Sequence, residues 1–397
     1  WTFALWPPFC SSCTKGERSQ AQRSSDALLN LGNMRSWALV ALVVPLSVTQ
    51  AFFGRKIDIV DTSHGLREAP VGTVLGTMTW GGQTEFSGAE AQLRLAFKML
   101  PKPIELDTAR MYVSGGTEEL LGKLLDEKTP ELKGDVVMAT KANPFPTHNK
   151  NLSGENVQKQ LADSLEAMRM DDVEIFYLHA PDKNTPLPET LAAVQKLYKK
   201  KRFRELGLSN FPAWQVVQIW SYMKSRGWVV PTVYQGMYNA ITRDVEKELL
   251  PALRALNIRF YAYNPLAGGL LTGRYKDIES LQDTETSRFT GAGVGKWYGV
   301  AYQDRFWKQG YFDAIEAVKA EADPLSISMV EASLRWLYHH SQLSGDMGDK
   351  VIVAGSKTSH IEQNLQAVSA GPLPEAVVNA WENAWQIAKA DCPPYFR

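Results

Sequence analysis

The feature that most constrains this chain is an eightfold alternation: from Thr73 onward, short apolar, β-branched segments alternate with longer amphipathic ones. The strand candidates are Thr73 to Thr77, Ile104 to Asp107, Val136 to Thr140, Val173 to Leu178, Glu205 to Leu208, Thr232 to Gln235, Arg259 to Tyr263 and Val351 to Ala354. Most are continuous apolar runs, the pattern of parallel strands covered on both faces by helices. Between them, Val157, Leu161, Leu165 and Met168 recur at helical spacing and mark one buried face. Ser209-Asn210-Phe211-Pro212 predicts a capped helix start with Pro near the first turn, and Ser153 predicts another N-cap. Eight βα units favour a closed barrel over an open doubly wound sheet, so the expected architecture is a single α/β domain, a (β/α)8 TIM barrel over residues 73–397.

Two segments depart from the repeat. Roughly forty residues from Ala267 to Lys308 carry only weak periodicity after the seventh strand, a length that in a compact domain usually marks a functional loop. From Pro374 to Lys389, Val377, Val378, Trp381 and Trp385 return to helical spacing and predict a helix packed across the barrel. The proline-stiffened tail after it, ending Tyr395-Phe396-Arg397, is expected to fold over the barrel mouth.

Upstream of the barrel the chain reads differently. Residues 1–33 are polar, Ser-rich and aperiodic, and the chain opens with Trp, as expected of a non-native or over-extended segment. From Met34, a basic Arg35, an apolar stretch from Trp37 to Val44 and the small-residue site Val48-Thr-Gln-Ala51 read as a signal peptide over residues 34–51, too short for a membrane anchor. Residues 52–72 read as a linker or transit-like segment; Phe52-Phe53 after Ala51 resembles the junction of preproteins bound for complex plastids. The compartment is secretory or plastid if 34–51 is a true leader and cytoplasmic otherwise. On the secretory route Asn151-Leu-Ser153 is also a glycosylation sequon.

With 43 basic and 43 acidic residues and no long charge run, the chain carries no electrostatic footprint for nucleic acid or an acidic membrane, which leaves a small molecule as the expected partner. Of the three cysteines, Cys10 and Cys13 lie far upstream and Cys392 near the end, so neither a disulfide framework nor a cysteine metal site is expected. Twelve Trp and fourteen Tyr suit aromatic pocket walls and an aromatic-rich core equally.

In a barrel the chemistry gathers at the C-terminal strand ends, where apolar runs turn polar. Asp107 follows Ile-Glu-Leu, Tyr112 stands five residues later, Lys141 follows Val-Val-Met-Ala-Thr, and His179 follows Ile-Phe-Tyr-Leu. Singly, these read as a helix cap, a loop aromatic, a surface charge and a core imidazole. Jointly they make a catalytic set. A buried Lys between a carboxylate and a phenol is expected to stabilise phenolate and lower the Tyr112 pKa, Asp107 to keep Lys141 charged, and His179 to hydrogen-bond a substrate carbonyl. No metal is required. Adjacent His339 and His340 face different ways on a helix, which argues against a metal-dependent barrel hydrolase.

Leu106-Asp-Thr-Ala-Arg-Met-Tyr112, Ala139-Thr-Lys141 and Tyr177-Leu-His-Ala-Pro181 resemble the signature segments of the aldo-keto reductases. The closest branch is that of the aflatoxin-aldehyde and succinic-semialdehyde reductases, which Tyr302-Gln-Asp-Arg-Phe-Trp-Lys308 and the terminal Cys392-Pro-Pro-Tyr-Phe-Arg397 resemble. The resemblance implies NADPH-dependent reduction of aldehydes, dicarbonyls or carboxylate-bearing aldehydes, with Tyr112 as general acid. It implies that Ser209, Asn210 and Gln235 bind the nicotinamide carboxamide, with Thr77, Met78 and Tyr263 beside them. Asn264, Pro265, Leu266, Ala267, Gly268, Gly269, Leu270, Leu271, Thr272, Gly273 and Arg274 would cover the pyrophosphate. Arg288, Ser356 and Lys357 would meet the 2′-phosphate, and Glu362, Gln363 and Asn364 the adenine. Trp80, His179 and Arg397 would contact substrate, Arg397 through a carboxylate. In this branch position 357 is often Ser, a departure that strengthens the 2′-phosphate reading and loosens the branch assignment. Gly291-Ala-Gly-Val-Gly295 lacks the flanking strand and helix of a dinucleotide fingerprint. A homodimer is compatible with the resemblance. An NADPH-binding regulatory subunit of the channel β-subunit type, which shares the barrel, is the competing reading, and turnover separates the two.

Overall fold

The computed structural model of the chain describes residues 70–145, 151–281, 287–292 and 295–397. The readings placed on 1–33, 34–51 and most of 52–72 therefore lie outside the described residues. Eight parallel strands close into one barrel in chain order: β1 (Gly72–Gly76), β2 (Ile104–Asp107), β3 (Val136–Ala142), β4 (Val173–Leu178), β5 (Phe203–Ser209), β6 (Pro231–Met237), β7 (Arg259–Tyr263) and β8 (Lys350–Val353). Every strand expected from the sequence is present, displaced by at most a few residues at its ends. β1 pairs with both β2 and β8, which closes the sheet and leaves no edge.

Outside it run α1 (Phe86–Met99), α2 (Gly116–Lys123), α3 (Gly154–Met168), α4 (Leu187–Lys199), α5 (Ala213–Lys224) and α6 (Leu249–Ala255). Three helices follow β7, namely α7 (Lys296–Phe306), α8 (Gln309–Ala322) and α9 (Met329–His339), and α10 (Thr358–Ser369) and α11 (Glu375–Ala388) end the chain. Ser153 caps α3 as expected, its hydroxyl accepting from the Asn156 amide. The start of α5 differs. Its cap is Pro212 without a side-chain bond, and Asn210 adopts a left-handed φ of 62° that turns it toward the barrel mouth. The loop after β7 also holds more structure than its periodicity showed: α7 buries Gly299, Tyr302 and Phe306 but leaves the apolar Trp297 and Val300 exposed, so its sequence carries no clear helical stripe. Helix α11 packs beside α8, not across the barrel.

The period-two alternation of the strands writes the barrel interior in layers. In β2, Ile104 and Leu106 join the core beneath the helices, while Glu105 and Asp107 make their bonds inside the barrel. The lower layer is ionic: Arg259 donates twice to Glu205 at 2.7 Å and Lys350 reaches Glu105 at 2.6 Å, so the charges buried there are paired. The middle layer is apolar, with Val74, Ala139, Ile175, Tyr177, Val233, Tyr261 and Ile352 in one cluster. Gly207 belongs to it because a Cβ there would stand 2.2 Å from the Tyr177 ring. One pleat higher, at the strand ends, Asp107, Lys141, Ser209 and Gln235 form a buried polar floor.

Candidate active site

Lys141 is buried at the end of β3, and its ammonium donates to Asp107 Oδ2 at 2.7 Å and to the Thr108 carbonyl at 2.7 Å. Gln235 from β6 donates to the other Asp107 oxygen at 2.7 Å. A carboxylate with both oxygens engaged and an ammonium with two acceptors make a rigid pair. Tyr112 lies above it, with Lys141 Nζ 5.3 Å from its ring centroid. His179 meets the Tyr112 ring edge-on at 6.2 Å between centroids. The four residues expected to act together are thus brought together.

The electrostatics correct one expectation. Burial pushes the Tyr112 phenol well above its ordinary value, and the nearby Asp107 carboxylate adds to the rise. Lys141 does not reverse this, because its charge is engaged by Asp107 and the Thr108 carbonyl; burial itself pulls the Lys141 ammonium below its ordinary value, opposed by Asp107. The Tyr112 hydroxyl therefore keeps its proton at neutral pH. Burial, reinforced by Lys141 and Arg397, drives His179 well below its ordinary value, so its imidazole is neutral at pH 7. Its buried Nδ1 has no hydrogen-bond partner among the described residues.

The loop that carries Tyr112 is strained. Val113 and Ser114 take φ of 49° and 54°, a region that a β-branched side chain resists, and strain of this kind persists only where surrounding contacts fix it. Glu118, fully buried at the start of α2, supplies the contacts: it pairs with Arg110 at 2.9 Å and accepts from Thr140, the neighbour of Lys141, at 2.6 Å. Sequence reading missed Glu118, since one acidic residue in a helix's first turn ordinarily marks only a dipole preference.

The floor opens into a cavity of about 450 Å³ lined by Tyr112, His179, Ser209, Asn210, Gln235 and Tyr263 at one end and by Ser356, His360, Gln363 and Asn364 at the other. Phe145, Trp297, Tyr298, Tyr302 and Arg305 wall it, together with Arg288 and Arg397. Of these, Phe145, Trp297, Tyr298, Tyr302 and Arg305 were missed as site residues from sequence; the stretch holding the last four has an almost even spread of apolar residues around its helix. The C-terminal tail does reach the mouth. Tyr395 OH accepts from the Ala213 amide and donates to Glu248, and the Arg397 amide donates to the Asn210 carbonyl at 3.1 Å.

The aldo/keto reductase family model matches residues 73–386, the whole barrel with its floor of Asp107, Lys141 and Gln235. This chain belongs to the aldo/keto reductase family. It is 47% identical over 333 residues to aflatoxin B1 aldehyde reductase member 2 of Rattus norvegicus, covering 82% of this chain and 88% of that protein. Against aldo-keto reductase family 7 member A3 of Homo sapiens it is 43% identical over 342 residues, 84% of this chain and 100% of the relative. Human aflatoxin B1 aldehyde reductase member 2 is 46% identical over 332 residues, 82% and 90% of the two chains.

Membership implies a nicotinamide cofactor, and the cavity of this reductase suits one. Asn264 Nδ2 is a buried donor at the cavity wall without a partner among the described residues. Asn210 donates to the His179 carbonyl and to Ser209 Oγ, both at 2.9 Å, and accepts from Tyr263 OH at 2.7 Å, so these polar groups are fixed in advance. Thr77, Met78, Pro265, Leu266, Gly268, Gly269, Thr272 and Arg274 line the same groove, and Gly268 has no room for a Cβ, which would meet the Tyr302 ring at 2.6 Å. Other expected contacts are corrected. Ala267, Leu270 and Leu271 are buried in the core, and Gly273 packs against Met329, so they shape the turn without lining the cavity. Glu362 is exposed while its neighbours Gln363 and Asn364 face the groove, as helical spacing requires. Lys357 is exposed at the cap of α10, outside the lining. Trp80 is wholly buried and gives its indole N–H to Gln92 at 2.7 Å, away from substrate.

Proposed function

We propose that this aldo/keto reductase reduces aldehydes with NADPH, Tyr112 giving the proton, and that it favours substrates with a carboxylate. The observation that carries the reading is the Asp107–Lys141 pair buried beneath Tyr112, with His179 alongside, in a groove that also takes in Ser209, Asn210, Ser356 and Asn364. The cofactor supplies hydride to the carbonyl carbon. Tyr112 hydrogen-bonds the carbonyl oxygen and passes its proton as negative charge develops there. His179, neutral and lining the cavity, is a second hydrogen-bonding group for that oxygen. The Lys141 ammonium stabilises the phenolate left behind, and Asp107 holds Lys141 in place. The names of the relatives, which include aldehyde reductases of aflatoxin B1, support an aldehyde as the substrate class. An NADPH-oxidation screen over 2-carboxybenzaldehyde, succinic semialdehyde and uncharged aldehydes tests this directly; turnover of none of them would overturn it.

The carboxylate preference rests on Arg397 and Arg305, which converge on the cavity, the Arg397 guanidinium 5.7 Å from the Phe145 ring centroid. Deleting Arg397 is expected to raise KM for carboxylate-bearing aldehydes about tenfold, one charge-assisted contact, and to leave an uncharged aldehyde of similar size unaffected. A uniform loss would make the tail a prop for the fold.

The preference for NADPH rests on Ser356 and Arg274 in the groove lining, with the exposed Lys357 just outside it at the start of α10. His360, which lines the far end of the groove, is held below its ordinary value first by burial and then by the charges of Lys357 and Arg274, so both cations lie near that end of the groove. Lys357→Met is expected to weaken NADPH binding by about 1 to 3 kcal/mol and NADH binding hardly at all, as read by titration with each dinucleotide. Equal losses would give Lys357 a structural role.

A further inference from the structure

The turn that begins with Gly355 and leads into α10 carries Ser356 and Lys357, and it is held from below by side chains of a different element. Thr79 Oγ1 donates to the Gly355 carbonyl at 3.2 Å, Gln92 Nε2 donates to the same carbonyl at 3.2 Å, and Thr84 Oγ1 lies 3.1 Å from the Ser356 carbonyl. Helix α10 has no side-chain cap of its own, so these bonds from the β1–α1 connection and from α1 fix where its first turn begins. Gly355 is also tightly enclosed, since a Cβ there would stand 2.8 Å from the His360 Cβ.

Gln92 is fully buried, and a carboxamide is nearly symmetrical in shape but not in chemistry: one end only donates and the other only accepts. Its Oε1 accepts the Trp80 indole N–H at 2.7 Å, and the indole can only donate. That bond forces the NH2 end toward Gly355. Without it the amide is free to turn over and set its oxygen against the Gly355 carbonyl, acceptor against acceptor, at a buried site where such a mismatch is costly.

We propose that Trp80 and Gln92 are positioning residues for cofactor affinity: the indole fixes the sense of the Gln92 amide, the amide fixes the Gly355–Lys357 turn, and the turn presents its hydroxyl and cation to the 2′-phosphate of the dinucleotide. The proposal rests on the NADPH reading above and assigns Trp80, which sequence placed against substrate, to the opposite end of the site.

The test is to measure dissociation constants for NADPH and NADH by calorimetry on the full chain, in wild type, Trp80→Phe, Gln92→Met and the double variant. Trp80→Phe keeps an aromatic ring and removes the donor; Gln92→Met keeps side-chain length and removes both polar ends. Each single variant is expected to raise the NADPH constant roughly threefold to tenfold, the factor that one misplaced neutral hydrogen bond is worth, with NADH changed by less than about twofold. Because Trp80 acts through Gln92, the double variant is expected to bind no worse than Gln92→Met alone. Unchanged NADPH binding in both single variants would overturn the proposal, as would equal and additive losses for both dinucleotides, the mark of a general packing defect. A wild type that binds NADH as tightly as NADPH would overturn the cofactor reading itself and this proposal with it.

Discussion

Tyr112→Phe is expected to lower kcat for aldehyde reduction by roughly 10²- to 10⁴-fold, the range for loss of a positioned general acid, while NADPH affinity stays within about twofold of wild type. The reason is local. The hydroxyl is the one polar atom the substitution removes, the ring stays in place against His179 and above Lys141, and the backbone bonds that form the strained turn, such as Tyr112 N–H to the Ala109 carbonyl at 3.0 Å, do not involve the side chain. Single-turnover kinetics separate the chemical step from cofactor binding. Turnover like that of wild type would remove Tyr112 from its role and pass the proton to another donor.

Lys141→Met is expected to act on both fold and rate. It leaves the Asp107 carboxylate in a buried floor with only Gln235 to answer it, and breaking a buried ion pair by removing one partner costs about 3 to 5 kcal/mol. Denaturant unfolding should show that loss, and aldehyde reduction should fall by more than about tenfold because nothing then stabilises the phenolate. Adding Asp107→Asn to Lys141→Met removes the orphaned charge, so stability should return in large part while activity does not. Recovery of both together would mean that the pair serves only the fold.

Much of this was legible in the sequence because the barrel repeats its grammar eight times. The turn from apolar to polar at the ends of β2, β3 and β4 marked Asp107, Lys141 and His179, whereas the interior place of Glu105 in β2 came only with the structure. Where reading failed, the cause was tertiary. Trp80 lies past the end of β1, yet a buried partner in the second turn of α1, Gln92, takes its indole N–H and holds its ring inward. Ala267, Leu270, Leu271 and Gly273 stand in a stretch that lines the groove, but only part of any turn can face a ligand. The direction of the Tyr112 shift depended on how much burial surrounds the phenol and on which groups already hold Lys141, and neither quantity has a signature in residue order.

The central claim is hydride transfer to an aldehyde carbon with proton delivery by this chain, as opposed to binding a dinucleotide to sense redox state. It is tested most directly by following the label in a single turnover of 2-carboxybenzaldehyde with NADPH deuterated at the transferable C4 position. The account predicts an alcohol that carries the deuterium on the former carbonyl carbon, formed by the wild type and almost absent with Tyr112→Phe. Tight NADPH binding with no labelled alcohol from this or any other aldehyde would contradict it.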